Sequence, residues 1–128
     1  MSEEKSDYQI IKERTVAVRE TIDREIDYQD PEQLKAKLVD LMAVIGLSAE
    51  LQAGAGKLIR IRELQEYAGM SQTKMPPPSI VKKVLEGSTA EERALYEYCD
   101  RLNAGIVHAI DGIRTLISLY KTELDKSI

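Results

Sequence analysis

Apolar residues recur at helical intervals along almost the whole chain. Ile11, Thr15, Val18, Ile22 and Ile26 follow at steps of four and three, with charged residues between them. That spacing predicts a first helix over residues 7–28 with one buried stripe. Asp30-Pro31 then restarts the chain, with Asp30 as N-cap, Pro31 at the first helical position and Gln33 three residues past the cap. The second helix is expected over residues 31–68, about 55 Å long. It carries two stripes: Leu34, Leu38, Leu41, Ile45 and Ala49 form one, and Val44, Leu47, Leu51, Ala55, Leu58 and Ile61 form the other. Two stripes imply two helical neighbours.

Gly69 predicts the end of that helix, and residues 69–79, with three consecutive prolines, read as a loop. A short helix is expected over residues 80–85, capped by Ser79 and ended by Gly87. Ser88 and Thr89 followed by Glu91 and Glu92 read as a capping box opening the last helix. That helix, over residues 90–126, holds one stripe from Leu95 and Cys99 through Ile106 and Ile113 to Leu124.

The expected fold is therefore all-α. It is an elongated antiparallel three-helix bundle, with a short extra helix and a proline-rich loop between the two long helices. One domain spans residues 1–128, with residues 1–6 as a disordered tail. The first helix should cover the second only up to about Gly54. The thin end beyond it is expected to recruit a second copy.

Composition narrows the setting. There is one cysteine, Cys99, so no intrachain disulfide, which fits a reducing, cytoplasmic compartment. The first residues, MSEEKSDYQ, resemble no targeting signal. No apolar run approaches the ~20 residues that span a bilayer, and no membrane partner is expected.

Gly54-Ala55-Gly56-Lys57 invites comparison with a phosphate-binding loop. That loop needs a glycine five residues before Gly56, where Leu51 stands, and Ser or Thr after the lysine, where Leu58 stands. The plainer expectation is a small-residue seam between the two long helices, matched by Ala104, Gly105 and Gly112. Each such glycine costs roughly 1 kcal/mol against alanine.

Glu63 and Glu66, then Glu97 and Asp100, resemble part of the magnesium site of all-α nucleoside triphosphate pyrophosphohydrolases. The doubled glutamate usual there is absent, since Arg62 precedes Glu63. Helical phase also puts Glu63 about 160° from Ile61, and Glu97 about 160° from Leu95, away from the core stripe. His108 with Asp111 could supply two metal ligands, too few for a site. Cys99 falls on the buried stripe, where a thiol packs as a small hydrophobe. No cofactor and no catalytic residue are expected.

Charge is uneven. Residues 57–83 hold Lys57, Arg60, Arg62, Lys74, Lys82 and Lys83 against Glu63 and Glu66 only. That segment is +4 within a chain of −4, leaving −8 elsewhere. Those six cations are candidate anion or nucleic-acid contacts, with Tyr67 among them. The same tip could meet an acidic part of another copy, or stand solvated.

The C-terminal third, STAEERALYEYCDRLNAGIVHAIDGIRTLISLYKTEL, resembles small helical proteins encoded by bacteriophages and integrated elements. The resemblance covers residues 78–124. It is carried by Pro78-Ser79, Glu92 to Tyr96, Arg101-Leu102-Asn103, His108 and Lys121 to Leu124. It implies an accessory role in DNA metabolism and brings no catalytic residues. The function expected is a non-enzymatic helical interaction protein that self-associates. A nucleic-acid-binding module is the alternative, and a magnesium-dependent pyrophosphohydrolase stands behind both.

Overall fold

The computed structural model describes residues 4–127, of which four stretches are helical and none is strand. These are α1 (Asp7–Asp23), α2 (Pro31–Ser71), α3 (Pro78–Ser88) and α4 (Ala90–Ser127). The all-α expectation holds. Residues 1–3 of the expected tail lie outside the described residues. Lys5 and Ser6 are tied down: Lys5 pairs with Glu13 at 2.8 Å, and Ser6 makes a capping box with Gln9.

α1 ends at Asp23, five residues before the expected Tyr28. The cause is Lys37, only 7% exposed on α2. Its ammonium donates to the carbonyls of Ile22 at 2.9 Å and Arg24 at 2.7 Å. Carbonyls left open at a helix C-terminus are thereby taken by a cation, the sign that the helix dipole favours there. The chain then turns. Asp27 accepts from the Gln29 amide, and its own amide donates to the Gln33 side chain. Ile26 leaves the helix yet still packs against the core. Asp30 caps α2 as expected, accepting from the Glu32 amide at 3.0 Å.

α2 runs straight through Gly69 to Ser71, because no glycine adopts the left-handed conformation that would stop it. The irregular connector is therefore residues 72–77, shorter than the expected loop over 69–79. α3 starts earlier than expected, with Pro77 rather than Ser79 at the cap and Pro78 at the first turn. It passes Gly87 without ending. Thr89 alone separates α3 from α4. Its hydroxyl donates to the Leu85 carbonyl at 2.7 Å and accepts from Arg93 Nε at 2.8 Å, so the expected capping box does not form. Glu92 instead turns Oε2 inward, where it finds no hydrogen-bond partner.

The core lies where α2 meets α4 and α1. Leu34, Leu41, Ser48 and Ala55 are all buried at steps of seven, and on the neighbouring line Lys37 and Leu51 are buried with the half-buried Val44 midway between them. A seven-residue repeat keeps one helix against another with slight supercoiling. Val18, Cys99, Leu102, Ile106 and Ile113 fill the opposite walls. Gln52 bonds Asp100 and Asn103, while Glu63 meets Arg93, so α2 and α4 run antiparallel.

The expected glycine seam between α2 and α4 is mostly elsewhere. A Cβ on Gly54 would sit 3.1 Å from Ile11 of α1, and one on Gly105 would sit 4.0 Å from Ile22. These two glycines admit α1. Only Gly56, beneath Tyr96, belongs to the α2–α4 contact. Gly112 faces open space.

α1 and α3 do not touch. Gly54, under Ile11, and Glu63, beside α3, are nine residues apart, roughly 180° around α2 at 100° per residue. α1 and α3 therefore sit on opposite faces of the α2–α4 hairpin. α2 holds an 18-residue window of mean hydropathy 1.4, long and apolar enough by length and composition alone to cross a membrane, a test that the core helix of a soluble protein also passes.

Two substitutions test this account by urea unfolding. Lys37→Met should cost about 2 kcal/mol, because two carbonyls lose a charged donor in a buried place. Gly112→Ala should gain up to about 1 kcal/mol, since nothing opposes the added methyl.

Candidate interaction surface at the α2–α3 end

The end of α2, the connector and α3 fold into a cleft. Residues 72–77 turn the chain, and the prolines at 77 and 78 set the start of α3. Val81 and Leu85, four residues apart, then face the cleft toward α2, while Ile80 and Val84 stay exposed on α3. None of them is fully buried.

The cleft holds about 570 Å³ between α2, α3 and the first turn of α4. Tyr67, Met75, Val81 and Leu85 supply its apolar wall, and Lys82 and Glu86 its rim. Arg93 reaches across to Glu63 at 3.0 Å. A second hollow of about 310 Å³ adjoins it between α2 and α3, lined by Arg60, Leu64, Tyr67 and Leu85. In these hollows Leu64 is 70% exposed and Tyr67 51%, and on α3 Ile80 is 48% exposed. Large apolar groups gathered in one place and left to water mark a contact surface.

The six candidate cations do not share a face. Arg62 is engaged by Glu66 at 3.5 Å on α2 itself. Lys57 lines a hollow on the α1 side together with Asp7 and Glu50. Arg60 borders the α2–α3 hollow and Lys82 the larger cleft. Lys83 follows Lys82 about 100° further around α3, and Lys74 stands in the connector. Apolar side chains lie between them.

The four carboxylates are also dispersed. Glu63 is held by Arg93, Glu66 by Arg62, and Asp100 by the Gln52 amide at 3.0 Å. Glu97 is exposed. Among the described residues no three His, Cys, Asp or Glu side chains gather as metal ligands. His108 is exposed, and Asp111 turns to a hollow with Met42 and Val107 instead.

Sequence reasoning missed Leu64, Ile80, Val84 and Arg93. Leu64 falls off both stripes of α2, and an apolar residue out of phase was the available signal. Ile80 and Val84 carry one as well, four apart on a helix too short to bury both sides. Arg93 carried no local mark, because its partner Glu63 is thirty residues away.

No protein-family model, curated protein or solved structure matches the chain.

Cys99 is 1% exposed, as its place on the stripe predicts. Burial pushes its thiol pKa above the ordinary value. Below the unfolded thiol's pKa both states keep the proton and stability is unaffected. Above it the unfolded chain ionises first, so stability falls as the pH rises toward the folded value. A disulfide reagent at neutral pH should label Cys99 at least ~100-fold slower in the folded protein than in urea.

Proposed function

We propose that the chain is a non-enzymatic helical interaction protein that self-associates and offers its α2–α3 end to an acidic, amphipathic protein segment. In this reading α1, α2 and α4 form an elongated antiparallel three-helix bundle, one domain over residues 1–128, with α3 added at its thin end. The setting is the cytoplasm, as an accessory factor of a phage or mobile element, beside DNA metabolism rather than acting on DNA.

One observation carries the reading: Leu64 and Tyr67 stay exposed in two adjoining hollows, and Ile80 and Val84 stay exposed on α3 itself. An apolar floor with Arg60 and Lys82 at its borders, against Glu86 alone once Glu63 is paired with Arg93, suits a helix that is apolar on one face and acidic on its flanks. Opposite charge steers such a partner and fixes its register. Nucleic acid is the weaker fit, because a backbone needs cations along one track. Arg62 and Lys57 lie away from the track that Arg60 and Lys82 begin. Pyrophosphohydrolysis is weaker still, since Glu63, Glu66 and Asp100 each have a separate partner.

Two titrations followed by anisotropy test this. One probe is a labelled amphipathic peptide with leucines at i, i+3, i+4 and i+7 and glutamates elsewhere. It should bind, a lysine version should not, and Leu64→Glu should weaken binding by roughly tenfold or more. The other probe is labelled DNA at low and moderate salt, expected to remain free. Binding with a log–log salt slope near −4.5 on duplex or about −3.5 on single strands, as five phosphate contacts give, would replace this reading with the nucleic-acid one. Its loss in a Lys82→Ala, Lys83→Ala double variant would identify the contacts.

A further inference from the structure

The α2–α4 hairpin has two broad faces. α1 lies along one. α3 covers the other only where α2 finishes, and the rest of that second face is bare. Met42 on α2 is 50% exposed and Val107 on α4 is 47% exposed. A hollow of about 270 Å³ lies between them, with Ile45 and Ile110 in its wall and Asp111 and Arg114 at its edge. Toward α3 the same face changes character. Ala49, Ala53 and Ala104 are exposed there, and a Cβ on Gly46 would meet nothing within 4 Å.

We propose that a second copy of this chain docks on the bare face, antiparallel, about a two-fold axis passing beside Val107. The inference rests on the self-association in the proposed function and gives it a surface and a register.

Charge selects the arrangement. Asp100, Val107 and Arg114 are seven residues apart in turn, so they line up along one edge of α4 about 10 Å from one another. Among the described residues Arg114 makes no ion pair in its own chain. Asp100 uses one oxygen, Oδ1, for Gln52. An axis at Val107 carries Arg114 of each copy to Asp100 of the other. A parallel copy would set Arg114 against Arg114.

Side-chain size selects the same arrangement. Met42 shares its hollow with Asp111, and Gln52 bonds Asn103, which fixes the levels of α2 against α4. The axis exchanges the level of Asp111 with that of Asn103. Met42 of one copy therefore comes over Ala49 and Ala53 of the other. A two-fold contact joins identical patches to each other, so bulk on one half must meet space on the other half. Met42 and Ile45 supply the bulk, and Ala49 and Ala53 the space.

Sedimentation equilibrium of the full chain tests this, with circular dichroism to verify folding. The wild type should be a dimer at micromolar concentration, and Val107→Glu a folded monomer. Asp100→Arg and Arg114→Asp should each weaken the dimer by roughly tenfold or more, and the two together should restore it to within about threefold. A monomeric wild type overturns the inference and the self-association with it. A dimer indifferent to Val107→Glu overturns the inference alone, since the copies then meet elsewhere. Failure of the double variant to restore the dimer overturns the antiparallel register. A wild-type monomer that pellets with phosphatidylcholine vesicles, and stops when Val107 is Glu, shows the face to be a lipid contact instead.

Discussion

Lys37 sets the geometry on which much of the rest depends. A lysine placed 7% exposed among aliphatic side chains needs polar partners, and it finds them at the open end of α1. The bond has two consequences. It fixes where α1 stops, which frees residues 24–30 to turn and deliver Asp30 to the start of α2. It also fixes the level of α1 against α2, so that Ile11 arrives over Gly54. The aromatic ring of Tyr28 lies 6.0 Å from the same ammonium, and the Tyr28 carbonyl accepts from Tyr120 of α4. One cation thus joins the turn to α1 and α2, and through Tyr28 to α4.

α2 and α4 each touch every other helix, and α2 has the larger share of the contact with α1 and α3. The buried lines of α2 alternate between α4 and α1 along most of its length, α1 adjoins it as far as Ile61, and from Arg60 onward α3 joins from the opposite side. Because α1 and α3 take opposite faces, each leaves part of the hairpin uncovered. The apolar groups that remain in water follow from this placement. Leu64 and Tyr67 stand at the edge of α3, and Met42 and Val107 stand where neither short helix reaches.

The all-α class and the helix order were legible in the periodicity, because long amphipathic stretches carry a strong 3.6-residue signal. The α4 stripe was legible for the same reason, and so was the burial of Cys99. Ends were harder to read. Ile26 lies in phase with the first helix, but a lysine distant in sequence cuts that helix short. Gly69 and Gly87 read as stops, yet neither adopts a left-handed conformation, and helices pass through exposed glycine at moderate cost. Lys37 and Ser48 lie on the buried lines of α2, where their polarity hid them from a search for apolar residues. The basic tip was visible as a count of charges. Its division among faces depends on angles that only the packed helices define, as do the Arg93–Glu63 bond and the cleft.

α3 differs from the other helices in how it is fastened. None of its residues is fully buried, yet the residue that ends it, Thr89, is 0% exposed and bonds both Leu85 and Arg93. The element is thus loose along its body and clamped at one point. Such an arrangement separates two kinds of stability. With no fully buried residue along its body, α3 is expected to open at lower free energy than the α2–α4 core unfolds, with amides that exchange sooner. Joined to α2 by the connector and to α4 through the buried Thr89, the opened segment stays beside its cleft at high effective concentration. Closing again is then a local event, independent of how the rest of the chain folds.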